Sequence, residues 1–133
     1  MRIVLDTNVL VSGIFWTGNE AKVIENCKKG KYTNIASPYT LGEFEKVISK
    51  ERFALTREEI EDLIELVLSF SVILIPSQKV SVIKKDPNDN MFIDCALAGN
   101  AEYIISGDSH LLDISKYKGI KILTAKKFLE EQA

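Results

Sequence analysis

Arg2-Ile-Val-Leu5-Asp6 opens the sequence, and Tyr103-Ile-Ile105-Ser106-Gly-Asp108 repeats its form near the other end. Each is a short β-rich apolar run that stops at an acid, as a buried strand does where it leaves a sheet. Between and beyond them, Thr33 to Ala36, Val72 to Ile75 and Ile120 to Leu123 read as further strands, and Val80 to Ile83 as a loop or short edge strand. Helix signals fill the gaps. Thr17 with Glu20 makes a capping box for a helix running through Lys29, with Gly30 as its stop. Ser37-Pro38 supplies an N-cap and a first-turn proline to a helix carrying Leu41, Phe44, Val47 and Ile48 on one side. Thr56 with Glu59 opens another, to about Phe70. Asp86-Pro87, with Asp86 as cap, opens one that reaches Ala98, and Thr124 caps a closing helix to about Glu131. Strands alternating with helices predict an α/β fold: one three-layer α/β/α domain over residues 1–133, with a central, mostly parallel sheet of about five strands.

Composition narrows what such a domain can do. With 133 residues, 46% apolar and 27% charged, the chain falls among ordinary globular proteins. Its 17 basic and 19 acidic residues, net −2, exclude the basic balance of a protein that coats nucleic acid, so any polyanion must be held locally. Cys27 and Cys95 form no CxxC pair, and with His110 as the sole histidine they cannot build a four-ligand zinc site. Reduced thiols are expected. The start MRIVLD reaches a carboxylate too soon for a signal peptide, and the uncharged stretch Leu66 to Gln78 is short of the ~20 residues that span a bilayer. A cytoplasmic, soluble protein is the expectation.

Ligands of open parallel sheets gather at the carboxyl ends of the strands. Asp6 and Asp108 both stand at such ends, and so should share a rim; the alternative is that each merely caps the next turn. At ~100° per residue, Glu43 borders the apolar stripe of Phe44 and Ile48 rather than opposing it. By the same angle Asp89 lies over Phe92 and Ala96, on the face its helix must bury, although its place in the first turn also suits the helix dipole. Asp94 falls about 140° away, toward solvent. Acids gathered on one rim repel: a pair ~4 Å apart costs about 4 kcal/mol at an effective dielectric near 20. A cation would relieve that. All-oxygen ligands favour Mg²⁺ or Mn²⁺, ions that also bind substrate phosphates and activate water, so the chemistry indicated is phosphodiester hydrolysis.

Asp6-Thr-Asn8-Val-Leu, Glu43 on its helix, and the block KDPNDNMFIDCALAGNAEYIISGD that holds Asp89 and Asp108 together resemble the PIN domain, over nearly the whole chain including the final KILTAKKFL. The likeness is nearest to VapC-type toxins. It implies a Mg²⁺- or Mn²⁺-dependent endoribonuclease whose catalytic and metal-holding acids are Asp6, Glu43, Asp89 and Asp108, with Asn8 and Ser106 as supporting polar groups. It further implies an RNA substrate, an antitoxin protein that covers the acidic groove, and a homodimer or higher homo-oligomer. Asp94 departs from the pattern as an extra acid and is a secondary candidate for a metal's shell.

No run of arginines is present to grip RNA, which leaves scattered lysines such as Lys22, Lys46, Lys84 and Lys85. Packing or a local turn accounts for His110, and core or dimer contact for Phe15 and Trp16, more simply than catalysis or base stacking does. Two other functions compete. A receiver-type phosphoacceptor module would use Mg²⁺ and an aspartate on a similar fold, but wants adjacent acids after its first strand and a lysine after a late one. A non-catalytic PIN-like scaffold would keep the acids and cleave nothing.

Overall fold

The computed structural model describes residues 1–133. A single sheet holds β1 (Arg2–Leu5), β2 (Thr33–Ala36), β3 (Ser71–Ile73), β4 (Tyr103–Ile105), β5 (Lys116–Tyr117) and β6 (Ile120–Leu123), in the order β3-β2-β1-β4-β6-β5. Every neighbouring pair is parallel except β5 with β6. The fold is therefore α/β with a mostly parallel sheet, of six strands rather than about five. The extra one, β5, is two residues long and turns back through Lys118 and Gly119, both at positive φ. An element so short has no periodicity to read.

Seven helices cover the sheet: α1 (Thr7–Phe15), α2 (Asn19–Lys28), α3 (Pro38–Ile48), α4 (Arg57–Ser69), α5 (Asn90–Ala98), α6 (Ser109–Ile114) and α7 (Ala125–Gln132). Alternation along the strands divides the core in two. Ile3, Leu5 and Ile105 face a larger cluster built with α1, α2, α3, α4 and α7, where Phe44, Phe128 and Val67 are wholly buried. Val4, Ile35, Ile104 and Ile122 face the other side, against Phe92, Ile93 and Ala96 of α5 and Leu111 of α6. None of the helices is long and apolar enough to cross a membrane.

The Ser37 and Thr56 caps form as expected, each in a reciprocal box with the residue three positions on, Thr40 and Glu59. Elsewhere the structure corrects the sequence reading. The stretch after Asp6, to which the sequence reading assigned no element, forms α1 at once, with Asp6 as N-cap. Thr17 does not open α2; Gly18, at φ 132°, holds the N-cap place without a side-chain bond. Asp86 caps nothing, because Pro87–Asp89 forms a separate 3₁₀ turn and α5 begins only at Asn90. Val80 to Ile83 is loop. The strand after α4 starts at Ser71 and ends at Ile73, although the Leu74 amide still donates to the Ala36 carbonyl at 2.9 Å.

These connections locate the crevice. Chain leaving β1 turns into α1 on one face of the sheet, whereas chain leaving the adjacent β4 turns into α6, whose Leu111 packs on the other. The loops part between β1 and β4, the switch point at which parallel sheets bind ligands.

Candidate active site

Two acids stand at that parting, fixed by the helices they begin. Asp6, 3% exposed, accepts from the Val9 amide at 2.9 Å through Oδ1 and from the Ser106 hydroxyl through Oδ2. Asp108 caps α6 by accepting from the Leu111 amide at 3.3 Å. The Ser106 Oγ also accepts from the Asp108 amide at 2.9 Å, so one buried hydroxyl ties the aspartate after β1 to the one after β4. Capping and rim placement, set against each other as alternatives by the sequence, are here properties of the same side chains.

The remaining acids close the hollow. Glu43 on α3 stands with Val47 along one wall, and Asp89, the last residue of the 3₁₀ turn, lies against Asp108 on the other. The space, about 210 Å³, is lined by Asp6, Asn8, Glu43, Asp86, Asp89 and Asp108 together with Thr7, Asn88, Met91 and Phe92. Burial and crowding of charge show in the acids themselves. Burial pushes the Asp6 carboxyl up to about 6, against the opposing bonds from Ser106 and Val9, and the Asp108 charge adds to the rise. Asp89 is pushed up to about 7, first by burial, then by its hydrogen bond with Asp108 and the charges of Asp108, Asp86 and Asp6.

Carboxylates from four separate stretches thus line one hollow, in the order Asp6, Glu43, Asp89, Asp108 along the chain. Residues 2–110 match the family model described as the PIN domain. This chain belongs to the PIN domain family. The crystal structure of VapBC2 from Rickettsia felis bound to a DNA fragment from their promoter contains a chain of similar fold, with a TM-score of 0.63 and 19% sequence identity. The alignment covers 92% of this chain and 97% of that one. No curated protein matches the sequence.

Three groups of this PIN domain at or near the hollow escaped sequence reasoning. Asp86, expected as a cap, lies exposed at the mouth, and its carboxylate, that of Asp89 and a ring nitrogen of His110 all fall within 4.8 Å of one another. His110 directs Nδ1 at Asp89 Oδ2, 3.9 Å away, and neither atom has a hydrogen-bond partner. Asn90 is buried and clasps the loop before it: its carbonyl accepts from the Val82 and Ile83 amides, and its amide donates to the Ile83 and Pro87 carbonyls. Asn90 in turn fixes the turn that presents Asp89. Only its place beside Asp89 in the block hinted at this role.

Asp94 lies outside the acidic hollow. It is half-buried beneath the same loop and accepts from the Val80 amide at 2.7 Å. Lys84 and Lys85 are exposed next to Asp86, whereas Lys22 lines a depression between α2 and α7. Phe15 packs on Phe53 with ring centroids 5.1 Å apart, and Trp16 stays 60% exposed.

Proposed function

We propose that this PIN domain is a divalent-metal-dependent endoribonuclease and the toxin of a toxin–antitoxin pair acting in the cytoplasm. One observation carries the reading: carboxylates from distant parts of the chain share a hollow at the switch point, where burial and one another's charges hold Asp6 and Asp89 above the ordinary carboxylate range. The donor set suits a hard cation. The four acids offer only oxygen, His110 adds one ring nitrogen at the mouth, and Asp89 Oδ2 is buried without a hydrogen bond. Asp6, Glu43, Asp89 and Asp108 would hold Mg²⁺ or Mn²⁺. Such an ion, when bound, supplies water activation at the phosphorus and charge neutralisation on the leaving oxygen.

The chain's own residues do the positioning. Ser106 and the Val9 amide fix both oxygens of Asp6, and the Leu111 amide fixes Asp108, so neither acid needs to reorganise when substrate arrives. Asn8, exposed at the start of α1, offers an amide at the mouth for orienting a carboxylate or water. The fold likeness to a chain of the VapBC2 complex supports an antitoxin partner, and a homodimer or higher homo-oligomer belongs to the same reading.

Cleavage of single-stranded RNA in Mg²⁺ or Mn²⁺, against an EDTA control, tests the proposal. Asp6→Asn and Asp89→Asn should each lower the rate by more than the ~10- to 100-fold typical of losing a group that only supports a metal ligand. Full activity in Asp6→Asn would reject the assignment. Metal-dependent stabilisation without cleavage of any RNA would instead favour a binding scaffold.

A further inference from the structure

Beside the acidic hollow lies a second cavity of about 250 Å³, and the two share Asn88 and Met91 as a common wall. Its character is different. Tyr39, at the start of α3, presents its ring 55% exposed, and Lys79 stands over that ring with Nζ 6.0 Å from the centroid. Gln78 and Asn88 add side-chain amides to the lining, and Asp94 adds a carboxylate. A half-exposed aromatic ring, a mobile lysine over it and amides around it are groups that can hold an unpaired base and its phosphate.

We infer that this cavity is a nucleotide subsite, in which a base next to the scissile phosphate stacks on Tyr39 while Lys79 meets the adjoining backbone phosphate. The inference rests on the nuclease reading for the position of the cut. It also answers a difficulty in that reading, since four acids repel RNA and the chain has no arginine run to offset them. Lys79 lies in the same loop segment as the exposed Lys84 and Lys85, which puts its positive charge on the flank of the hollow. Stacking needs a splayed base, so single strands are the substrate class and duplexes are excluded. The setting favours RNA over a polypeptide, because the cavity adjoins, across Asn88 and Met91, the hollow where the phosphate must sit, and Lys79, Gln78 and Asn88 set polar groups around the Tyr39 ring.

The test is binding of a short fluorescein-labelled single-stranded RNA of mixed sequence, followed by anisotropy, to the full chain carrying Asp6→Asn to suppress cleavage. Adding Tyr39→Ala should weaken binding ~5- to 100-fold, the range for one lost stacking partner. Tyr39→Trp should restore it, which separates stacking from misfolding, and Lys79→Ala should flatten the salt dependence. Equal affinity with and without Tyr39→Ala overturns the proposal; that is the result expected if the cavity seats a polypeptide instead. Failure of the Asp6→Asn chain to bind RNA also overturns it. Tyr39-dependent binding by a chain that cleaves no RNA in either metal would leave the subsite standing and the nuclease reading rejected. Cleavage with kcat/KM unchanged by Tyr39→Ala would remove the subsite alone.

Discussion

Asp6 carries a burden that its neighbours only partly relieve. Two hydrogen bonds favour its ionised form, yet burial outweighs them and its proton is held up to about 6 against 3.8 for a free side chain. A carboxyl raised on folding contributes stability that is complete below the unfolded value and is lost as pH rises through the folded one. Without metal, the protein should therefore lose roughly 3 kcal/mol from this group between about pH 4 and pH 7, and Asp89 acts in the same direction over the same window. Urea unfolding in EDTA at several pH values checks this. Asp6→Asn, which can still cap α1, should flatten the profile and raise stability at neutral pH; an unchanged slope would refute the account. Ser106→Ala leaves the Asp108 amide without its acceptor and Asp6 without its donor. It should weaken Mn²⁺ binding ~10- to 100-fold, read by titration calorimetry. Of this pair only Asp6 declared a function on strand-end grounds; Ser106 entered through the family likeness, since a serine after a strand has many ordinary uses.

Elements differ in how openly they announce themselves. The helices α3 and α4 carry capping boxes and regular apolar stripes, so both are legible without coordinates. By contrast α1 is built from Thr7-Asn-Val-Leu-Val-Ser-Gly-Ile-Phe15, rich in β-branched residues and glycine, and no local propensity favours a helix there. Its support comes from the Asp6 cap and from close docking on α2. A Cβ placed on Gly13 would overlap Ile24 Cγ1 and meet the Glu20 carbonyl oxygen at 2.8 Å. Gly13→Ala gains about 1 kcal/mol of helix propensity, but the backbone contact leaves no room, so net destabilisation of ~1–3 kcal/mol is expected from the lowered urea midpoint. A midpoint equal to or above that of the parent would show that the two helices separate freely. At α5 the hidden device is Asn90, whose four hydrogen bonds reach back to Val82, Ile83 and Pro87 in the loop before it. Asn90→Ala should loosen the loop and release Asp89, lowering metal affinity along with stability. Equal Mn²⁺ affinity in the variant would separate the clasp from the site.

Taken whole, the molecule places its least stable chemistry at its most constrained point. The sheet's parallel order puts the ends of β1 and β4 side by side, and no adjustment of surface charge elsewhere, at net −2, can move those carboxylates apart. The shared rim was legible from two apolar runs ending in aspartate, because parallel strands all end on one edge of their sheet; the adjacency of β1 and β4 was not, because alternation and crossover handedness narrow the strand order without fixing it. What the pattern could not express was the third wall, where Asp86, Asp89 and His110 meet through a 3₁₀ turn and a six-residue helix too short to leave a period. A cation that removes the repulsion should act on the entire folding equilibrium rather than on the site alone. Mn²⁺ at about 100 times its dissociation constant adds ~2.7 kcal/mol to the native state, which for a domain of this size raises Tm by roughly 10 °C. The comparison that decides the matter is between the native chain and one carrying Asp6→Asn, Asp89→Asn and Asp108→Asn together. The native chain should melt lower in EDTA and rise with Mn²⁺, whereas the triple variant should start higher and not respond. An equal Mn²⁺ shift in both would place the ion elsewhere on the surface, and the acids would then have no compensating ligand to explain their company.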